Sequence, residues 1–327
     1  MKEIKKILII RFSSIGDIVL CSPIIRCTKA KFPNAEIHFI TKKQYAEIIN
    51  ANPDISKCIS IDKDINPHLS SLKKESYDLI IDLHKNLRSR RLRSKLRVKT
   101  YSFKKLNVKK WLLTNFKINN LPKKHIVDRY FDGLKKLGVL NDNKGLDYFI
   151  PNDTTNPLAN KKYTAFAIGA KYYTKRMPVE ILREIITETH SDVVLLGGET
   201  DIETSKEIIK LLPNKKIINY CGKLSLSESA AIIKDASIVV SNDTGLMHIA
   251  AAFSKRIVSV WGNTVPDFGM YPYLPELKIN EDWMISEVKD LKCRPCSKIG
   301  YHSCPKKHFN CMKKQDIAKI ISFINAF

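Results

Sequence analysis

The sequence comprises 327 residues, a length typical of two domains of roughly 150 residues each. Hydrophobic residues make up 44% of it and charged residues 27%, a mixture that excludes an intrinsically disordered chain. The charge is strongly positive, since 56 Lys and Arg face 33 Asp and Glu, for a formal net charge of +23. Such a surplus favours an anionic partner: nucleic acid, an acidic membrane surface or a phosphorylated substrate.

The N-terminal segment predicts no secretory signal, because the apolar run before Arg11 has four residues where a signal has about 7–15. No stretch reaches the roughly 18 apolar residues of a membrane-spanning helix. We therefore expect a cytoplasmic protein, with peripheral contact at the inner membrane face compatible with its charge. The eight cysteines are expected to be thiols or metal ligands instead of a disulfide framework.

Strand-like and helix-like segments alternate along the first half of the chain. The spacing of apolar residues predicts a helix over 18–31, and a second helix-like stretch begins at Gln44. The predicted strands are KILII (6–10), EIHFI (36–40), CISI (58–61) and YDLIIDL (77–83). This alternation favours a parallel sheet covered by helices on both faces.

A loop-like stretch with two prolines, at 150–162, predicts a domain boundary. Helices are predicted beyond it near 178–190 and from Glu203, Ser227 and Gly245. The strands predicted between them are YTAFAIGA (163–170), DVVLLGG (192–198), KIINYCG (216–222), ASIVVSND (236–243) and RIVSVWG (256–262). Two such arrays indicate an α/β chain with two Rossmann-like, doubly wound parallel-sheet domains facing a central cleft.

The first candidate site follows the first predicted strand, in R-F-S-S-I-G-D at 11–17. Ser13, Ser14 and Gly16 form a turn whose hydroxyl and N–H groups would meet an anion at the positive end of a helix dipole. Asp17 falls in the first helical turn, a position that also suits a capping residue. The dinucleotide fingerprint G-x-G-x-x-G is absent from this turn, which argues against an NAD-dependent enzyme.

Two later turns suit a phosphate group. Lys175 and Arg176 follow a strand, and ligands of open α/β sheets bind outside the carboxyl ends of strands. The tripeptide Asp243-Thr244-Gly245 leads from another strand into a helix whose start would accept a diphosphate. His248 lies one turn further along that helix, as a ligand contact or as a structural histidine.

Positive charge is concentrated between Lys85 and Lys110, where twelve Lys and Arg residues occur with no Asp or Glu. The run begins directly after the predicted strand 77–83. A solvated surface and an anion-docking surface are both typical of such a run.

Half of the cysteines lie within nineteen positions, in C-R-P-C-(x7)-C-P-K-K-H-F-N-C. They are Cys293, Cys296, Cys304 and Cys311. C-x-x-C with two further cysteines has the spacing of a structural zinc site, and a thiol-lined loop is the alternative. The pattern D-x-D occurs at 62–64, but its central lysine disfavours a cation, so we expect a solvated loop there.

Three motifs taken together resemble a known family. R-x-S-S-x-G-D-x-x-x-x-x-P at 11–23, D-T-G-x-x-H-x-A-A at 243–251 and W-G-N-T-x-P at 261–266 are similar to the ADP-heptose:lipopolysaccharide heptosyltransferases, over nearly the whole chain. The resemblance implies a GT-B fold, with an acceptor-binding domain at 1–155 and a nucleotide-sugar-binding domain at 160–310. It further implies that a terminal helix, within 311–327, packs back on the first domain.

The resemblance also implies inverting, metal-independent transfer of a heptose from ADP-heptose to a lipopolysaccharide core, an anionic glycolipid. Asp17 would be the base, Lys175 and the turn 243–245 would bind the diphosphate, and Glu199 would hold the ribose. The other residues expected at the donor are Ser13, Ser14, Gly16, Arg176 and His248. The residues expected at the acceptor are His84, Lys85, Asn86, Arg88 and Arg91. Met177 stands where the family often has Trp, so packing around the donor sugar is expected to differ.

The chemistry is consistent with the residues alone. An acceptor hydroxyl becomes nucleophilic as Asp17 takes its proton, and Lys175 with the N–H groups at 244 and 245 stabilises the charge that develops on ADP. The alternatives are a glycosyltransferase of the same fold that uses another nucleotide sugar, and a basic nucleic-acid-binding protein with a zinc knuckle. We favour sugar transfer with no nucleic-acid partner and no required cofactor, because no nucleic-acid-binding motif is present.

Overall fold

The computed structural model describes residues 3–275 and 283–326. The chain forms two compact units: unit 1 contains Met1–Lys105 and Lys124–Pro151, and unit 2 contains Leu106–Lys123 and Asn152–Phe327. The chain therefore passes between the units at three points, the last of which lies in the predicted boundary loop at 150–162.

The segment Leu106–Lys123 lies in unit 2, whereas the sequence places it in the first domain. The reason is packing, since buried Leu113 contacts Val265 and Phe268, with Leu121 beside them. Apolar contacts with residues so distant along the chain leave no local signal in the sequence.

A parallel sheet forms the centre of unit 1. Its strands are β1 (Lys6–Ile10), β2 (Glu36–Lys42), β3 (Lys57–Ile61), β4 (Leu79–Asp82) and β5 (Thr100–Ser102). They pair in the order β3-β2-β1-β4-β5, with Ile7 of β1 opposite Ile37 of β2 and Leu79 of β4. The apolar run from Ile7 to Ile10 is fully buried, as expected for a strand covered on both faces.

A second parallel sheet forms the centre of unit 2. Its strands are β6 (Tyr163–Ala167), β7 (Asp192–Leu196), β8 (Ile217–Asn219), β9 (Ile238–Asn242), β10 (Arg256–Trp261) and β11 (Trp283–Glu287). They pair in the order β11-β10-β9-β6-β7-β8. The sequence predicts every strand of this sheet except β11, whose buried positions alternate with partly exposed ones at the edge of the sheet.

Helices follow most of the strands. The α-helices of the described residues are α1 (Ile15–Val19), α2 (Ser22–Lys31), α3 (Glu47–Asn50), α4 (Leu69–Lys74), α5 (Leu87–Leu96), α6 (Asn107–Phe116), α7 (Ile126–Leu134), α8 (Val179–Glu188), α9 (Ile202–Leu211), α10 (Leu226–Asp235), α11 (Gly245–Ala252), α12 (Asn310–Lys313) and α13 (Ile317–Asn325). Short 3-10 turns lie at Lys43–Tyr45, Asn66–His68, Lys135–Leu137, Tyr173–Lys175, Glu199–Asp201 and Pro266–Phe268. Across the described ranges, no helix combines the length and the apolar character needed to pass through a bilayer.

Each sheet has one point at which the direction of strand addition reverses. In unit 1 the chain runs from β1 through β2 to β3 and returns to β4 on the other side of β1. In unit 2 it runs from β6 through β7 to β8 and returns to β9 beside β6. The doubly wound α/β class is thus confirmed. Ligands of such sheets bind at the carboxyl ends of the strands that flank the reversal, which are β1 and β4 in one unit and β6 and β9 in the other.

The terminal helix corrects one expectation. Ile320 and Ile324 of α13 are buried in the apolar core of unit 2, where the helix packs against α8 and β10. The predicted helical spacing of the isoleucines is present, but the apolar face covers the sheet of unit 2 and not the first domain. Periodicity shows that a helix has a face to bury and does not identify the surface that buries it.

Gly133 lies on α7, which packs against β5. A Cβ atom at this position would lie 2.6 Å from the carbonyl oxygen of Ser102, a distance that forces the backbone to shift. We expect Gly133→Ala to lower the free energy of unfolding by about 1–3 kcal/mol, despite the gain of about 1 kcal/mol in helix propensity. Chemical denaturation measures the change. Gly198→Ala is the control, because its Cβ would meet its nearest neighbour at 4.0 Å; a loss no larger than in the control would contradict the prediction.

Candidate active site

The loop after β1 is organised by an ion pair between Arg11 and Asp17. Arg11 Nη2 lies 2.5 Å from Asp17 Oδ1, and Asp17 Oδ2 accepts hydrogen bonds from the backbone N–H and the hydroxyl of Ser14 at 3.1 and 2.9 Å. Arg11 Nη1 donates to the carbonyl oxygen of Leu83, at 2.5 Å, so this guanidinium also ties the loop after β1 to the loop after β4. The two loops at the reversal point of unit 1 are therefore held as one assembly.

These contacts determine the charge of Asp17. Burial alone would raise the pKa of Asp17, but the positive charge of Arg11 and the two hydrogen bonds from Ser14 outweigh burial and lower it. The carboxylate is therefore ionised at neutral pH. It is an acceptor-only group in the first turn of α1, and an ionised acceptor is the state required of a general base.

The structure does not favour Ser13, Ser14 and Gly16 as an anion-binding turn. Both hydrogen-bond donors of Ser14 already bond to Asp17, and Arg11 Nε bonds to the carbonyl oxygen of Ser13 at 2.9 Å. The carboxylate at this position would also repel an anion, and α1 has only five residues. The hydrogen bonds from this turn hold Asp17 in position.

The loop after β4 depends on a residue that sequence analysis missed. Asp82 is 0% exposed, and its carboxylate accepts hydrogen bonds from the backbone N–H groups of His84 and Lys85, at 3.0 and 2.7 Å. It also accepts a bond from the Ser89 hydroxyl at 2.9 Å and pairs with Arg93 Nε at 3.1 Å. The signal in the sequence is a charged residue at the end of an otherwise apolar strand. Asp82 fixes the backbone of the residues predicted to meet the acceptor.

The predicted acceptor residues separate into two groups. Lys85 Nζ donates to the carbonyl oxygen of Phe103 at 2.8 Å, and Asn86 caps α5 by accepting a bond from the Ser89 N–H at 2.8 Å. Both side chains therefore have partners within the protein. The guanidinium of Arg88 lies 5.6 Å from the centre of the Phe12 ring, and Arg91 is exposed on α5.

His84 lies beside the same ring, with the two ring centres 5.0 Å apart. Burial, followed by the positive charge of Arg11, lowers the pKa of His84 to about 3. The imidazole is therefore neutral at physiological pH and can both donate and accept a hydrogen bond. An acceptor at this position would therefore meet a neutral polar group and not a cation.

Lys105 is a further residue that sequence analysis counted only as part of the basic run. Burial, followed by the charge of Arg11, lowers its pKa, while Asp82 and Asp17 act in the opposite direction. Lys105 is therefore within electrostatic range of Asp17, the candidate base, although the two residues are far apart in the sequence. The order of the strands brings these residues together, and the spacing of residues in the sequence does not predict it.

In unit 2, Lys175 lies beside the start of α11. Its Nζ is 2.5 Å from Asp243 Oδ2, and the Thr264 hydroxyl donates to the same oxygen at 2.9 Å. Thr244 caps α11, and its side-chain oxygen accepts a bond from the N–H of Leu246 at 3.2 Å. The loops after β6 and β9 thus bring an ammonium group to a helix start whose first N–H groups have no partner within the helix. This is the arrangement that binds phosphate.

Arg176 has a structural role in this structure. Its Nη1 lies 3.0 Å from Asp201 Oδ1, Nε donates to the carbonyl oxygen of Ala170 at 2.7 Å, and Nη2 bonds to the Thr200 hydroxyl at 3.3 Å. All three nitrogens therefore have partners within the protein, and the predicted contact with the donor phosphate stays a prediction. The guanidinium anchors the turn after β7 on which Glu199 is exposed.

Asp201 is the second anchor that sequence analysis missed. Its Oδ2 accepts a bond from the N–H of Gly198 at 2.9 Å. A Cβ on Gly169 would lie 2.1 Å from the same oxygen, so the carboxylate occupies the space that this glycine leaves open. The sequence signal for Asp201 was the pair of glycines in G-G-E-T-D. Glycines beside a buried polar residue indicate that two segments of backbone approach each other closely.

Met177, which stands where the family often has Trp, and His248, an expected donor residue, both lie in the interior of unit 2. Met177 is 3% exposed and packs in the apolar core, while its N–H donates to Asn242 Oδ1 at 3.2 Å. His248 on α11 is 2% exposed. Burial of both side chains favours roles in packing and not in direct contact with a sugar.

The four clustered cysteines line one cavity, together with Thr174, Asn263 and His308. All eight cysteines are free thiols. Within 3–275 and 283–326, no three His, Cys, Asp or Glu side chains are arranged to hold a metal ion, so the zinc expectation lacks structural support. Arg294 instead fastens this loop, donating to the carbonyl oxygens of Gly262 and Thr264 at 2.7 and 2.8 Å.

The D-x-D pattern at 62–64 behaves as a loop. Asp64 accepts hydrogen bonds from the backbone and side-chain nitrogens of Asn66, at 3.1 and 2.9 Å, and so initiates the short turn that follows. Both aspartates are exposed. The expectation of a solvated loop agrees with this geometry.

Comparisons of the sequence and of the fold with known proteins all give heptosyltransferases. The family model described as glycosyltransferase family 9 (heptosyltransferase) matches residues 66–301. Lipooligosaccharide heptosyltransferase 2 of Haemophilus influenzae is 24% identical over 80% of this chain and 84% of its own length. Lipopolysaccharide heptosyltransferase 1 of Campylobacter coli is 26% identical over 79% and 84%. The solved structure of E. coli ADP-heptose lps heptosyltransferase II covers 98% of both chains at 19% identity, with a TM-score of 0.73, which shows a shared fold.

The low pKa of His84 predicts a pH dependence of stability. An unfolded chain takes up a proton on this imidazole below about pH 6.5, whereas the folded chain does so only near 3. Folding stability attributable to His84 is therefore present at neutral pH and is lost as the pH falls from about 6.5 towards 3. We expect His84→Gln to show a smaller fall in the free energy of unfolding between pH 7 and pH 5 than the wild type, by urea denaturation. The exposed His190→Gln is the control, and an unchanged pH dependence in His84→Gln would disprove the prediction.

Proposed function

Since this chain belongs to glycosyltransferase family 9, the heptosyltransferases, and is a glycosyl-transferring enzyme, we propose that it transfers a heptose from ADP-heptose to a lipopolysaccharide core acceptor. The curated relatives, named as lipopolysaccharide or lipooligosaccharide heptosyltransferases, support the substrate class. The observation that carries the proposal is the placement of Lys175 and Asp243 at the start of α11. It provides positive charge and the N–H groups of a helix start for a leaving nucleoside diphosphate.

Asp17 is the base in the proposed reaction. An acceptor hydroxyl attacks the anomeric carbon of the donor and loses its proton to the Asp17 carboxylate as the new bond forms. A single displacement of this kind inverts the anomeric centre. Arg11 and Ser14 hold the carboxylate in one orientation and keep it ionised before the substrate arrives. Because a lowered pKa makes Asp17 a weak base at rest, proton transfer accompanies bond formation and does not precede it.

The leaving ADP gains negative charge as its bond to the sugar breaks. Lys175 and the N–H groups of Thr244 and Gly245 stabilise that charge, in the way that an oxyanion hole stabilises a tetrahedral intermediate. Asp243 and Thr264 hold the ammonium group in place before the donor binds. Glu199, exposed on the turn after β7, is the proposed contact for the ribose hydroxyls.

The acceptor is assigned to unit 1. Arg88 and Arg91 supply guanidinium groups for its phosphates or carboxylates, since Arg binds such groups with two parallel hydrogen bonds. Neutral His84 supplies a polar contact, and Lys105 adds a cation in the neighbourhood of Asp17. We propose that Lys85 and Asn86 shape this surface without binding the acceptor themselves.

The proposed reaction uses no cofactor, because the charge that a metal ion would neutralise meets Lys175 and the helix start of α11. The proposed location is the cytoplasm, at the inner face of the membrane that holds the acceptor. Nucleic acid has no part in this proposal.

Asp17→Asn tests the base. We expect kcat/KM to fall at least about 1,000-fold, because the amide cannot accept the proton, while the affinity for ADP stays unchanged. Turnover of ADP-heptose with a soluble core acceptor and isothermal titration with ADP measure the two quantities. The exposed Asp62→Asn is the matched control. Turnover within tenfold of the wild type in Asp17→Asn would reject the assignment.

Lys175→Met tests the donor site. We expect the affinity for ADP to fall about 10- to 100-fold, since a charge-assisted bond to the diphosphate is lost. Lys171→Met, on the same loop and exposed, is the control and should bind ADP as the wild type does. Titrations are made in EDTA and repeated with UDP and GDP. Tighter binding of UDP or GDP, or a need for added magnesium, would contradict the proposed donor chemistry.

A further inference from the structure

Exposed apolar side chains are concentrated around α6. Ten large hydrophobic residues are exposed among the described residues, and four of them lie within eleven positions of one another. These four, which we call the α6 face, are Val108, Trp111, Phe116 and Ile118, with exposures of 70%, 47%, 60% and 48%. Isolated exposed apolar residues are ordinary, but a contiguous group marks an interaction surface.

The geometry of α6 places the face on the solvent side of the helix. Leu113 turns inward against Val265 and Phe268, and this contact attaches the helix to the rest of unit 2. Val108 and Trp111 are three positions apart and therefore share one side of the helix, away from that contact, whereas Phe116 is the last residue of the helix. The rings of Trp111 and Phe116 lie 5.2 Å apart in an edge-to-face arrangement, so they form one aromatic surface.

The surroundings of the face are cationic. The segment Leu106–Lys123 of unit 2, which carries the face, contains four Lys and no Asp or Glu. Lys109 and Lys123, which belong to the same segment of unit 2, are exposed. Two other lysines are used by the fold, since Lys110 lies over the Phe268 ring at 5.0 Å and Lys117 donates to the carbonyl oxygen of Pro295 at 2.7 Å.

We propose that the α6 face docks the protein on an anionic lipid bilayer. Trp and Phe side chains enter the region between headgroups and acyl chains, and lysines beside them meet anionic headgroups. A short helix with exposed aromatic residues and flanking lysines provides both parts of this interaction. This surface would bring the enzyme to a membrane-bound glycolipid, and in that point it rests on the proposed function.

Vesicle sedimentation tests the surface without donor or acceptor. Wild-type protein is mixed with vesicles of phosphatidylcholine alone or of phosphatidylcholine with phosphatidylglycerol. We expect binding to the anionic vesicles only, weakened by added salt. The double variant Trp111→Ser, Phe116→Ser is expected to lose at least about tenfold in partition coefficient, because two apolar anchors are removed. The matched control is Leu140→Ser, Leu211→Ser, which removes two exposed apolar residues elsewhere and should bind as the wild type does.

Turnover distinguishes this inference from the proposed function. With a core acceptor that lacks acyl chains, the Trp111, Phe116 variant should keep wild-type kcat, and a matching thermal midpoint shows that it is folded. Vesicle binding that is unchanged in this variant would overturn the docking surface, whatever the enzyme transfers. Binding to single-stranded RNA that depends on Trp111 and Phe116, without binding to vesicles, would also overturn it. Vesicle binding without heptose transfer would reject the proposed donor or acceptor and leave the membrane surface supported.

Discussion

Four aspartates, each with at least two polar partners, hold the loops of both candidate sites. Asp17 orders the loop after β1, and Asp82 orders the loop after β4. Asp201 and Asp243 do the same after β7 and β9. Removing a carboxylate from water costs several kcal/mol, so such a group persists only where hydrogen bonds and cations offset that cost. Groups that use all their donors on these carboxylates, as Ser14 does, are then unavailable to a ligand, whereas the Lys175 ammonium has a third N–H beyond its two bonds to Asp243. This constraint decides which residues of each motif remain free for chemistry.

The same constraint sets the character of the proposed base. Arg11 keeps Asp17 ionised and in a fixed orientation, but it also lowers the pKa of the carboxylate. A site of this kind relies on orientation and on stabilisation of the departing ADP more than on the strength of the base. Neutral His84 and partly buried Lys105 belong to the same neighbourhood, and burial, followed by the positive charge of Arg11, lowers the pKa of both.

The large positive charge of the chain has several separate roles. Some cations, such as Arg11, Arg176 and Arg294, are committed to carboxylates and carbonyl oxygens of the protein itself. Lys175 faces the proposed diphosphate site. The basic run from Lys85 to Lys110 is divided between the two units, because the chain enters unit 2 at Leu106. Only its exposed members are available to an anionic surface, and those near α6 accompany an exposed aromatic pair.

The sequence by itself determined the fold class, most of the strands, the order of the motifs and, through them, the family, which the match to the family model confirms. These features are local: a strand is an apolar run, and a phosphate turn lies where a strand meets a helix. Tertiary structure decided which polar groups are already bonded, as for Ser14, Asn86 and Arg176, because their partners lie in turns or after neighbouring strands. It also placed 106–123 and α13 in unit 2, since an amphipathic segment encodes the need for an apolar partner and not the partner's position in the chain.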